Sequence, residues 1–447
     1  MTKFLVTTMP FHSHINTSAS IVARLIEKGH EVWWYTGRKY QAKVEATGAR
    51  FVPFQAAPDF DDANISATYP EMGKLKGMAN MKYMIKHVVV DAVPGQIKDL
   101  LEINRTFRPE IVLADQSLFG AGWFHELGGP VWAAYGHFPL SISSRDTAPF
   151  GLALPPSSTL AGRLRNKALY GLIKNLLLRD CTEYINRVRA SVGLRPQNQL
   201  IMDTCISPYL FLQGTVPGFE YLRSDLPSQV HFVGPFLPLD ALSESKLPEW
   251  WPELEAGGRP VVHVTQGTLA ADPKELIIPT IEALAGMDLL VVATTGGHPL
   301  ETVTLKEHPA NLRLEKFIPH SRLLPFVDVM VTNAGYGGVQ IALSHGVPLV
   351  AAGATEDKPE VASRIAWSGV GINLKTATPK PAQIRAAVEK LLAEPAYRAK
   401  AQSFKAEFAA YSGPVRAVQL LEQLAATKQP VRNDVMEETK EPLALSA

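Results

Sequence analysis

Two successive series of short apolar runs, divided by one proline-rich break, restrict this chain to a narrow group of folds. The first series is 3–8 (KFLVTT), 31–36 (EVWWYT), 51–54, 111–115 (IVLAD), 131–135 (VWAAY), 209–212 and 230–233. The second is 261–265 (VVHVT), 289–294 (LLVVAT), 312–315, 328–331 (DVMV), 348–351 and 370–373. The runs are continuous rather than alternating, as expected of parallel strands covered on both faces. Helical patterns fill the intervals, at 16–28 in the first series and at 274–286, 338–345, 359–367 and 381–393 in the second. This rhythm builds doubly wound parallel sheets. The chain reads as α/β, with two tandem Rossmann-like domains whose parallel sheets face each other across a cleft.

A length of 447 residues exceeds what one ordinary core supports. Residues 1–233 are the expected N-terminal domain and 261–395 the C-terminal one. Between them, 234–260 carries Pro235, Pro238, Pro248, Pro252, Pro260 and Gly257-Gly258, the composition of a linker. A last helix, 396–427, is expected to cross back onto the first domain. The polar, charged stretch 428–447 reads as a disordered tail.

A formal net charge of +1 excludes a nucleic-acid binder that neutralises many phosphates. Only two cysteines are present, Cys181 and Cys205, and they form no metal-ligand spacing. The N-terminus enters a strand directly, and no apolar run reaches the length of a membrane span. These features point to a cytoplasmic protein. The stretch 136–182 differs from its surroundings: Pro- and Gly-rich, then helical with Arg163, Arg165, Lys167, Lys174 and Arg179. It fits a solvated helix face, an acceptor-side insertion or a peripheral membrane contact. Leu169, Leu172, Ile173 and Leu176 favour its partial burial.

The first strand ends at Met9-Pro10-Phe11-His12-Ser13-His14, and Asn16, Thr17 and Ser18 are suitable caps for the helix that follows. Both histidines would then lie in a loop at the carboxyl edge of the sheet, where ligands bind. Either imidazole there can serve as a general base or simply bond to backbone. Asp115 ends strand 111–115 at the same edge. Its carboxylate could orient a histidine and stabilise the imidazolium, or cap the next helix. In the second half, Asn333-Ala334-Gly335-Tyr336-Gly337-Gly338 joins a strand to a helix. Such a run lets backbone approach a diphosphate at a positive helix end, although it also suits a tight turn. Gln266-Gly267-Thr268 is a second phosphate-loop candidate.

Together these pieces resemble the nucleotide-sugar-dependent glycosyltransferases of family 1, which have the GT-B fold. The similarity covers residues 1–425. It is strongest over 317–360, FIPHSRLLPFVDVMVTNAGYGGVQIALSHGVPLVAAGATEDKPE, which follows the family's donor signature W-x-P-Q, H-x-G-x-N-S, G-V-P and D-Q. The resemblance implies an acceptor-binding first domain and a nucleotide-sugar-binding second one. It implies His14 as catalytic base and Asp115 as its partner. Phe317 stands where the family stacks tryptophan on the nucleobase, beside the backbone of Ile318. Thr268 matches the hydroxyl of the first phosphate loop. Asn333, Gly335, Gly337 and Gly338 match the diphosphate cradle, and Asp357 and Lys358 the pair that reads the sugar.

The departures are informative. Asn333 replaces the family's diphosphate histidine, Gly337-Gly338 its Asn-Ser, Ile341 its ribose-binding Glu, Lys358 its Gln, and His320 the Gln of the nucleobase segment. Ser13 replaces the Gly before the base. These mark the bacterial natural-product subgroup with an Asn-x-Gly-Tyr-Gly-Gly loop. Loss of the ribose acid admits a dTDP-sugar, because thymidine lacks the 2′-hydroxyl, as well as a UDP-sugar.

The implied activity is inverting, metal-independent transfer of a hexose or deoxyhexose, such as rhamnose, to a hydroxyl of a small apolar acceptor: phenolic, polyketide or lipid. The nucleotide sugar is a co-substrate and no cofactor is implied. Phe60, Met81, Phe119 and Phe138 are candidate acceptor contacts, with ordinary core as their other reading. The rival functions are a non-catalytic GT-B helper and a sugar-nucleotide epimerase.

Overall fold

The computed structural model describes residues 1–237, 247–267 and 272–433. It contains two parallel sheets. The first is built from β1 (Lys3–Thr7), β2 (Glu31–Thr36), β3 (Arg50–Pro53), β4 (Ile111–Asp115), β5 (Val131–Gly136), β6 (Phe211–Gln213) and β7 (Val230–Phe232), in the order β3-β2-β1-β4-β5-β6-β7. The second is built from β8 (Val261–Thr265), β9 (Leu290–Thr294), β10 (Leu312–Glu315), β11 (Val329–Thr332), β12 (Leu349–Ala351) and β13 (Gly371–Asn373), in the order β10-β9-β8-β11-β12-β13. In each sheet the order reverses beside its first strand, between β1 and β4 and between β8 and β11. A doubly wound sheet opens its ligand crevice at such a switch point. His14 and Asp115 belong to the first of these edges, and the glycine run to the second.

The sheets are apolar because helices cover both faces. One side of the first sheet packs Phe4, Val6, Trp34 and Leu113 against helix His12–Glu27 and helix Gly413–Thr427. The expected single helix over 396–427 is two, Pro395–Ala410 and Gly413–Thr427. The break falls at Tyr411-Ser412, followed by Gly413-Pro414, because proline cannot continue a helix. The second of the two returns to the first domain, burying Ala417, Val418, Leu420, Leu421 and Leu424 there. Within 247–260, a short helix Trp251–Ala256 buries Trp251 and Leu254 in the second-domain core. Residues 434–447, most of the tail, lie outside the described residues.

One expectation for the site is corrected. The first helix starts at His12, not near Asn16, and its N-cap is Phe11, which offers no side-chain bond. Burial of Ile15, Ser18 and Ala19 draws the chain into helix early. His14 therefore sits on a rigid first turn rather than in a loop.

A second correction concerns helix Leu160–Leu172 and its continuation Ile173–Leu177. Leu169 and Ile173 are half-buried as expected, but Leu172 and Leu176 are exposed. Polar groups hold the inward side of this helix together with those two side chains.

Candidate active site

The backbone N–H of Met9 and of Ser117 clamp the Asp115 carboxylate, at 2.6 Å to Oδ2 and 2.6 Å to Oδ1 respectively. Asp115 thus caps its own turn, not the following helix, whose N-cap is Phe119. The Nδ1–H of His14 donates to Asp115 Oδ2 at 3.1 Å. An ionised carboxylate only accepts, so this bond selects the tautomer that leaves His14 Nε2 with its lone pair. Burial alone would push the Asp115 carboxyl up; His14, His137 and the Met9 N–H outweigh it and hold the group below its ordinary value. The dyad is therefore a fixed carboxylate behind an oriented imidazole.

His12, the other candidate, is spent elsewhere. Its Nε2 accepts from Asn16 Nδ2 at 2.9 Å, while Asn16 Oδ1 accepts from Lys43. Burial and the Lys43 charge lower its basicity.

Sequence reasoning missed His137, just past the end of β5. Its ring centroid lies 3.7 Å from that of His14. Burial first, then the facing His14, drives its pKa well below the ordinary imidazole value, so it is neutral. Its Nδ1 is buried without a hydrogen-bond partner. The ligating atoms of His14, Asp115 and His137 lie within 4.8 Å of one another. Both Asp115 oxygens are already engaged, so the arrangement fits a hydrogen-bonded dyad better than an open metal site.

Rings continue outward from the dyad. Phe11 lies 5.0 Å from His14 and 5.2 Å from Phe60. On the other flank Phe138 lies 4.9 Å from His137 and 5.5 Å from Phe150. Met81 is partly exposed on helix Gly77–Tyr83, while Phe119 packs with Ile85 and Trp123 in a separate cluster.

The second domain supplies an open helix start. Gly335 is the N-cap of helix Tyr336–Ser344. A Cβ placed on Gly337 or Gly338 would meet nothing within 4 Å. Neither glycine has a left-handed backbone, so protein packing does not require them. What they provide is bare space over unpaired N–H groups, a cradle that a side chain would fill. Ala334, just before it, is held at φ 64°, and Glu356, just before Asp357, at φ 56°. Non-glycine residues in that region carry strain, which collects at functional sites.

Asn333 Nδ2 donates to Gln266 O at 2.5 Å, tying the two phosphate-loop candidates together. Thr268 lies outside the described residues. Phe317 is 65% exposed, an aromatic face without cover, whereas Ile318 beside it is buried. Burial and His345 lower the His320 pKa to about 4. A neutral imidazole offers one donor and one acceptor, as the family's glutamine amide does. Ile341 is half-buried and packs on the core. Asp357 uses no side-chain bond to cap helix Lys358–Trp367, and burial pushes its pKa up to about 6. The Lys358 ammonium is held by Thr355 and Glu356.

The two edges meet. Gln213 Nε2, at the end of β6, donates to Phe138 O at 3.0 Å and to Tyr336 Oη at 3.4 Å in the glycine-rich helix. Glu220, Arg364 and Glu360 form a buried bridge between the domains that sequence reasoning did not find.

Comparison with known proteins gives this geometry a family. Residues 279–424 match the domain described as erythromycin biosynthesis protein CIII-like, C-terminal. The chain is 45% identical over 425 residues to 4′-demethylrebeccamycin synthase of Lentzea aerocolonigenes, covering 94% of this chain and 99% of that one. It belongs to the family 1 glycosyltransferases. UDP-glycosyltransferase 2 of Phaeomoniella chlamydospora is 34% identical, with 96% of this chain and 97% of the relative covered. Among solved structures, the kitacinnamycin glycosyltransferase superposes with a TM-score of 0.71 at 22% identity, covering 94% of this chain and 98% of that one. Glycosyltransferase VinC in complex with dTDP does so at 0.68 and 20%, covering 95% and 99%. This glycosyltransferase accordingly has the GT-B fold. No helix among its described residues is long and apolar enough to cross a membrane.

Proposed function

We propose that this glycosyltransferase moves a hexose or deoxyhexose, with inversion, from a UDP- or dTDP-sugar to a hydroxyl of a small apolar acceptor. The observation that carries this reading is the pairing of two edges: an imidazole with a free Nε2 on one, and an uncovered helix start on the other. His14 Nε2 takes the acceptor proton as the acceptor oxygen attacks the anomeric carbon. Asp115 stabilises the imidazolium, and His137 stays neutral beside it. The sugar–oxygen bond breaks on the opposite face, and the nucleoside diphosphate leaves with its charge facing the N–H groups at Gly335–Gly338. Those groups make a metal unnecessary for departure. Asp357 and Lys358 read sugar hydroxyls, and Phe317 stacks on the base.

For the nucleotide, the aliphatic Ile341 in the ribose position supports thymidine. So do two GT-B neighbours, glycosyltransferase VinC solved with dTDP and the spinosyn rhamnosyltransferase SpnG complexed with thymidine diphosphate. The relatives named UDP-glucosyltransferases support uridine. Phe11, Phe60, Phe138 and Phe150 around the dyad support an apolar aglycone, as does the complex of the neighbour SpnG with spinosyn aglycone.

The test is a thermal-shift screen with UDP-, dTDP- and GDP-sugars, followed by transfer to a panel of phenols and polyketide aglycones in EDTA. A stabilising UDP- or dTDP-sugar and a product of inverted anomeric configuration are expected. Retained configuration or dependence on added metal would refute the mechanism.

A further inference from the structure

Helix Leu160–Leu172 and its continuation Ile173–Leu177 turn four leucines to solvent, where an ordinary surface helix turns its apolar stripe inward, while Leu169, Ile173 and Leu177 are half-buried. Polar groups hold its inner side. Asn166 Nδ2 donates to Arg145 O at 3.0 Å, Arg163 Nε to Asp146 Oδ1 at 2.8 Å, and the Ser144 N–H to Tyr170 Oη at 3.2 Å. The leucines point out. Leu160, Leu164, Leu172 and Leu176 are 77%, 60%, 47% and 68% exposed. Their four-residue spacing, with Ala168 between, makes one continuous ridge. Exposed Leu152 and Leu154 extend it, because Arg165 Nη2 ties Pro155 O to the helix at 3.3 Å.

Charge selects what covers this ridge. From Thr147 to Arg179 there is no acidic residue. Arg163 and Arg179 are paired, with Asp146 and Glu183. Arg165, Lys167 and Lys174 have no ion pair among the described residues and flank the leucines. A second copy of this chain would set like charges against each other across a symmetric contact. An anionic bilayer answers both features at once, taking leucines between its headgroups and the cations at its surface.

We infer that this face docks the enzyme on anionic lipid membranes. The placement serves the acceptor. Leu154 and Phe150 line the same small cavity, and Phe150, Phe138, His137 and His14 follow one another ring to ring at 5.5, 4.9 and 3.7 Å. An apolar molecule held in the bilayer would then lie next to the aromatic wall that leads to the base, beside a small cavity that Arg223, Glu360 and Arg364 also line. That consequence rests on the apolar-acceptor reading; the docking itself does not.

The experiment is co-sedimentation of the full chain with vesicles of phosphatidylcholine alone or enriched in phosphatidylglycerol, at low and high salt. Wild type should bind the anionic vesicles and release at high salt. The triple variant Leu164→Gln, Leu172→Gln, Leu176→Gln should bind at least tenfold more weakly. Lys167→Ala with Lys174→Ala should lose about fivefold per charge on anionic vesicles. Both variants should keep the wild-type melting temperature and transfer to a water-soluble phenol, which separates failure of docking from failure of catalysis. Absence of wild-type binding, or equal binding by the leucine variant, overturns the inference. So does a wild-type dimer in sedimentation velocity that the leucine variant dissociates.

Discussion

Arg364, on a second-domain helix, donates from Nε and Nη2 to one oxygen of Glu220 in the first domain, at 2.8 and 2.5 Å, with each side chain 1% exposed. Glu220 Oε2 also accepts the Leu140 N–H at 2.8 Å, and Arg364 Nη1 holds Glu360 at 2.9 Å. Glu360 in turn accepts the N–H groups of Gly151 and Ala153, both at 2.8 Å. Helix Lys358–Trp367, whose N-cap is Asp357, is thereby fastened to the loops beside the dyad.

Removing one partner of a buried ion pair leaves an uncompensated charge and costs about 3–5 kcal/mol. Arg364→Met should therefore lower stability by that order in urea unfolding. Adding Glu220→Gln should restore part of the loss. Strictly additive losses in the double-mutant cycle would mean that the two residues do not act as a unit.

Gly338 gives a prediction in which stability and binding move in opposite directions. Alanine at a helical glycine stabilises by about 0.5–1 kcal/mol, and nothing lies near its Cβ to oppose that. Gly338→Ala should raise the melting temperature of the free enzyme slightly, yet weaken binding of nucleoside diphosphate by calorimetry. Unchanged affinity would remove the glycine helix start from the donor site.

Asp357 ties stability to pH. An unfolded aspartate titrates near its ordinary value of 3.8, whereas the folded carboxyl titrates at about 6. The folded state binds the extra proton between those values, so this group's contribution falls as pH rises through that window and is flat above it. Asp357→Asn should therefore raise the melting temperature at pH 8 and change it little at pH 4. A gain at pH 4 equal to that at pH 8 would show an ordinary carboxyl. Donor turnover should also rise with an apparent pKa near 6 in wild type and lose that step in the variant.

The strands were legible because a parallel strand buried on both faces must be an apolar run, as IVLAD at β4 and VVHVT at β8 are. The start of the first helix was not. Phe11 carries no capping group, so the turn bearing His14 resembled a loop until Asn16. His137 escaped notice because its significance is its contact with His14, a residue remote in sequence. The Glu220–Arg364 bridge was hidden for the same reason. The outward turn of Leu172 and Leu176 was not legible, because periodicity reports an apolar face and not which way it turns. Asp115 was visible in part: its place at a strand end was plain, while its clamping by two backbone N–H groups needed coordinates.

The central claim is that His14 Nε2 removes the acceptor proton while a separate surface holds the donor. His14→Ala tests it most directly, with sugar transfer and calorimetric donor binding measured on the same preparation. Transfer should fall by about 10²–10⁴-fold, the usual contribution of a general base, while the donor dissociation constant stays within a factor of about two. Transfer near the wild-type rate would contradict the assignment, as would loss of donor binding in parallel with activity.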